Sequence, residues 1–162
     1  MAMQEPVSST RWSAGKTIFW AGFMPGLADY LYPTINTVIH GGSPWQPWKG
    51  VAGALVGQAA RDGGVAYGLL GILLHFTILF GAAAVFYFII RRFPWFVARP
   101  WITALILGPA FLVVMNYVIL PLSLIGRPLY TGVEGLTRAV LMHTLLIGIP
   151  MSWFTSRGLR RA

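Results

Sequence analysis

Residues 65–92, VAYGLLGILLHFTILFGAAAVFYFIIRR, limit what this chain can fold into more than any other stretch. The run is apolar from Val65 to Ile90, broken only by His75, and it stops at two arginines. An apolar run of about 18 or more residues is long enough to cross the hydrocarbon core of a bilayer as a helix. The chain therefore reads as an integral membrane protein. Its composition agrees: 56% of the 162 residues are hydrophobic and 10% are charged, where a soluble domain carries roughly 25% charged residues. That length makes one domain with room for about four spanning helices. The absence of cysteine excludes disulfides, thiolate metal sites and cysteine nucleophiles. The polar start, MAMQEPVSSTRWSAGK, lacks the charged-then-apolar pattern of a cleaved signal.

The expected fold class is an all-α, four-span antiparallel bundle. Its spans are placed at residues 17–39, 65–90, 101–123 and 135–155. The first holds Pro25, Gly26, Asp29, Pro33 and Asn36, so a kinked or broken helix is expected there. Residues 40–49, HGGSPWQPWK, read as a loop. Residues 51–61 read as a helix too short to span, lying on the membrane surface or dipping into the bundle. Residues 91–100 form a short basic turn, and residues 124–134 a short loop.

Charge sets the orientation, because cytoplasmic segments carry an excess of Lys and Arg. With both termini inside, the inner side holds Arg11, Lys16, Arg91, Arg92, Arg99, Arg157, Arg160 and Arg161. The outer side holds Lys49, Arg61, Arg127 and Arg138, the remaining four of the 12 basic residues. Tryptophan follows the same boundaries, with Trp12, Trp20, Trp95, Trp101 and Trp153 inside and Trp45 and Trp48 outside, as in an aromatic belt. The net charge of +8 is thus mostly a topology signal with a weak pull on anionic lipid. No basic groove with interleaved aromatics suggests a nucleic-acid partner. The expected location is the bacterial inner membrane.

Four polar residues fall at similar depth when counted from the outer helix ends. Asp29 and His75 lie about 10 residues in, Asn116 about 7 and His143 about 8, which is about 10–15 Å for all four. Arg138 sits one turn above His143. Gly71, Gly68 and Ala82 flank His75 on one face, and small residues mark where helices approach closely. His75 is therefore expected to point inward. Polar groups in the membrane are costly, so the others are expected inside as well.

Three roles are open for this layer. It can be structural, with Asp29 paired to a histidine or to Arg138 and Asn116 bonding across helices. It can hold a haem b between His75 and His143. It can pass protons or bind a small polar or quinone-like ligand. Ser123 lacks a G-x-S-x-G context, and the histidines lack zinc-site spacing. His40 and Asp62 lie in the outer loop. The function expected on balance is non-enzymatic: an accessory or scaffold subunit packing against other membrane proteins, or against copies of itself, in the lipid bilayer.

The segment HFTILFGAAAVFYFIIRRFP, the third-helix end MNYVILPLSLIG, and the last-helix LMHTLLIG with its RGLRR tail form a familiar layout. This layout resembles the small uncharacterised bacterial inner-membrane proteins typified by YagU. The likeness covers residues 64–161, and the N-terminal third departs from it. It implies four membrane helices and brings no reaction with it.

Overall fold

The structure, a computed structural model, describes residues 12–160. Arg11 and Arg161, both assigned above to the inner side, lie outside the described residues. Within that range every regular element is helical. The helices are α1 (Ala14–Ile39), α2 (Gln46–Val56), α3 (Ala59–Asp62), α4 (Val65–Ile90), α5 (Pro94–Ala98), α6 (Pro100–Leu122) and α7 (Gly132–Leu159). Helices α4, α6 and α7 are long and apolar enough to cross a membrane, by length and composition. Helix α1 equals α4 at 26 residues, but it carries Lys16, Asp29, Asn36 and two prolines and falls outside that group.

Local sequence explains the boundaries. Ser13 caps α1 by accepting from the Lys16 N–H at 3.2 Å, which satisfies a donor with no partner inside the helix. The helix then runs continuously through Pro25 and Pro33, so of the kinked or broken forms expected, the broken one is absent. Residues 46–49 are helical and not loop, because Pro47 sits in the first turn of α2, where proline's missing N–H has no helical partner to lose. Gly57, at φ 67°, ends α2 in a conformation that L side chains avoid. The basic turn contains the five-residue helix α5.

Each of α6 and α7 widens into a single π turn, at Met115–Ile119 and Thr144–Gly148. Both turns lie just ahead of a proline, Pro121 and Pro150. Proline cannot donate to the carbonyl four residues back, and its ring crowds that carbonyl. A π turn is one way for a helix to absorb this.

The two ends of the bundle differ. At one end the Arg160 guanidinium donates to the Val97 carbonyl at 3.2 Å and the Ala98 carbonyl at 2.8 Å, tying the end of α7 to α5. Lys16 and Arg157 lie over the Trp12 ring, at 4.9 and 5.8 Å from its centroid. This arginine-rich end brings together the start of α1, the α4–α6 turn and the end of α7. The opposite, loop end holds α2, α3 and the α6–α7 loop.

Packing follows small residues. Helix α1 lies against α4 and α7, and α6 lies against α7. A Cβ on Gly108 would fall 2.5 Å from the Thr144 Cα, and one on Gly148 would fall 2.6 Å from the Ala104 carbonyl, so the α6–α7 backbones meet closely. Ala21, Leu79, Ala83, Ile147 and Met151 close the middle of the bundle. Helices α4 and α6 barely touch.

The segment expected on the surface or dipping inward is built into the bundle. Helix α2 lies along α4, with Trp45 over Gly68 and the Trp48 backbone against Gly71. Ala52 and Ala60 are fully buried. Trp48 is only 2% exposed, so it is a packing residue and does not belong to an outer aromatic belt.

A methyl group on Gly71 would collide with the Trp48 carbonyl. Overpacking a close contact costs typically about 1–3 kcal/mol. Gly71→Ala should therefore lower unfolding stability in detergent by about that amount. Gly81→Ala, where a Cβ meets nothing within 4 Å, should cause no loss. Denaturant titrations of the two variants check this.

Candidate functional site

Between the loop-end halves of the helices lies a cavity of about 1000 Å³. Asp29 from α1, His75 from α4, and Arg138 and His143 from α7 all line it. Four of the five residues singled out from the sequence thus face one space. Asn116 does not.

His75 is held from three sides. Its Nε2–H donates to the Gly26 carbonyl at 3.0 Å. A carbonyl only accepts, so this contact places the proton on Nε2. Nδ1 then faces the Asp29 carboxylate, 3.9 Å away. The Trp48 indole meets the imidazole edge-on, with centroids 5.0 Å apart. Trp48 in turn stacks on Tyr30 at 4.8 Å, and its Nε1–H donates to the Thr34 hydroxyl at 3.0 Å. The Asp29–His75 pair and Trp48 therefore join α1, α2 and α4. Asp29 pairs with His75 and not with Arg138.

Asn116 is fully buried on the π turn of α6. Its Oδ1 accepts the N–H groups of Leu129 and Tyr130, both at 2.9 Å, and its Nδ2 donates to the Tyr130 carbonyl at 2.9 Å. It was expected to bond across helices. It instead fastens the α6–α7 loop, because its short side chain fits the turn's unpaired backbone groups. That loop is also tied to α2, since the Leu124 N–H donates to the Ala54 carbonyl at 3.0 Å. Loop and α2 together form the rim of the cavity.

His143 sits just before the π turn of α7. Its Nδ1–H donates to the Ala139 carbonyl one turn back, at 2.8 Å, and its ring lies 5.9 Å from that of Tyr130. Burial, reinforced by the nearby Asp29 carboxylate, pushes the Tyr130 phenol above its ordinary pKa, while Arg138 pulls it back. Tyr130 is a rim residue that the sequence reading did not mark. Lys49 and Arg61 also line the cavity, and the Lys49 ammonium donates to the Gly63 carbonyl.

The geometry does not suit a haem. Bis-imidazole ligation needs a free nitrogen on each ring, and His75 spends Nε2 on Gly26 and turns Nδ1 to Asp29. Among the described residues no three His, Asp or Glu side chains are grouped to hold a metal ion. What the cavity presents is an acid–imidazole pair, a second imidazole and three cationic side chains, set in a largely apolar wall. When the chain is compared with family models, curated proteins and solved structures, none matches.

Asn116→Ala would strand two backbone N–H groups and one carbonyl. Leaving buried polar groups unpaired costs about 1–3 kcal/mol. Amide hydrogen exchange of Leu129 and Tyr130 should quicken by more than tenfold (each factor of ten being about 1.4 kcal/mol), with the arginine-rich end unchanged.

Proposed function

We propose that this is a four-span protein of the bacterial inner membrane, with both termini cytoplasmic, that binds a small ligand in the cavity at its outer half. The observation that carries the reading is the convergence of Asp29, His75, Arg138 and His143 on one space of about 1000 Å³. Cavities of roughly 300–1,000 Å³ with apolar walls and a few convergent polar groups are typical of ligand sites. Asn116 and the Asp29–His75 pair fix the walls. The remaining polar groups, His143 and Arg138 among them, are left for the ligand.

Helix α1 counts as the fourth span in this reading. At about 1.5 Å per residue its 26 residues are long enough to cross. Two of its polar side chains are sheltered, since Asp29 faces His75 and Thr17 is buried against Gly158, while Lys16 and Asn36 are exposed toward its two ends. Arginines at the α4–α6 turn and the end of α7 favour that end as cytoplasmic. The motif likeness to YagU-like proteins supports the same membrane.

The natural chain has no cysteine, so single cysteines report cleanly with a membrane-impermeant maleimide on intact cells. Ser43→Cys and the cavity-lining Met142→Cys should be labelled from outside. Ser13→Cys should be labelled only after permeabilisation, and the exposed apolar position Leu145→Cys should stay unlabelled in lipid. Labelling of Ser13→Cys together with Ser43→Cys would mean that α1 does not cross. An unreactive Met142→Cys in a protein that co-purifies with a larger membrane complex would favour the accessory-subunit role instead.

A further inference from the structure

We infer that the cavity takes a single-chain acidic amphipath drawn from the bilayer. Its carboxylate meets Arg138 at the rim, and its tail lies between α4 and α6. This rests on the ligand-binding reading above and names the class of ligand.

Charge is the first ground. Lys49, Arg61 and Arg138 line the cavity and Asp29 is the one carboxylate that does so. Among the described residues none of these three cations has a carboxylate within 4.0 Å, and Asp29 is turned to His75. The site therefore holds surplus positive charge. A planar guanidinium binds a carboxylate through two parallel N–H···O bonds, which makes Arg138 the natural headgroup partner.

The walls are the second ground. Below the rim the lining is Leu74 and Ile78 from α4, Met115 and Ile119 from α6, and Met142 from α7. A free small anion would leave this apolar surface unused, and covering it gives an alkyl chain about 0.8 kcal/mol per buried CH₂. The access route is the third. Helices α4 and α6 both line the cavity, and their backbones stay apart, so the gap between them is the route assigned to the chain. A chain can slide in from the membrane with its headgroup still at the interface. The volume, about 1000 Å³, is at the upper end for a single small ligand.

The test uses the full chain carrying Met142→Cys, purified in nonionic detergent, with the rate of maleimide labelling as readout. Palmitate should slow labelling. Methyl palmitate and acetate at the same concentration should not. Adding Arg138→Gln should raise the palmitate concentration needed by about tenfold or more, as expected for loss of a charge-assisted bond. Equal protection by methyl palmitate would show that the cavity binds apolar chains without regard to charge. That would overturn this inference and leave the binding reading standing. Protection by acetate would show that the tail plays no part, and would also overturn it. If none of the three protects, this inference falls, and the binding reading loses its best candidate. Should Arg138→Gln fail to fold, the comparison of palmitate with its methyl ester on the parent chain still decides.

Discussion

Everything at the loop end depends on the contact between α2 and α4. A helix of 11 residues, too short to cross a bilayer, lies along the first half of a helix that is long and apolar enough to cross. Gly68 and Gly71 make room for Trp45 and the backbone at Trp48. That contact buries the Trp48 indole, and the indole in turn braces His75 from one side and Tyr30 from the other. With α2 filling the space beside α4, the α6–α7 pair cannot close onto α4 at that end. The helices come together only lower down, at the Ala21, Leu79, Ala83, Ile147 and Met151 cluster. The cavity is what remains between.

This arrangement has a cost and a compensation. A helix lodged among others must satisfy its own ends, and polar backbone is tolerated in a membrane only where protein covers it. Here Pro47 starts α2 without stranding a donor, Gly57 ends it, and the Ala54 carbonyl accepts from the α6–α7 loop. Asn116 then holds that loop from below with three hydrogen bonds. These bonds run from a helix to a loop and not between helices, and they keep the rim in place over an open space.

Much of this was legible in the sequence. The second span was read as residues 65–90, matching α4 to the residue, because an unbroken apolar run has few alternatives. The glycines around His75 correctly marked a close-approach face, although the partner is α2 and not another long helix. Two things were not legible. The HGGSPWQPWK segment read as loop because its prolines and glycines outweigh its two tryptophans locally, while Pro47 in fact starts a helix whose stability comes from burying Trp48 against α4. The partner of Asn116 was also hidden: depth along a helix does not fix azimuth, and the π turn before Pro121 changes the face on which residues emerge. The signal for both π turns was a proline six residues after the first residue of each turn, Pro121 after Met115 and Pro150 after Thr144.

The seat of α2 can be measured directly. A Cβ on Gly68 would lie 3.3 Å from that of Trp45, close to the roughly 3.5–4.5 Å spanned by a disulfide. In a chain with no other cysteine, the pair Trp45→Cys and Gly68→Cys should cross-link under mild oxidation in the membrane and become inert to maleimide until reduced. If both thiols stay free, α2 does not lie against α4, and the cavity it bounds does not exist as described.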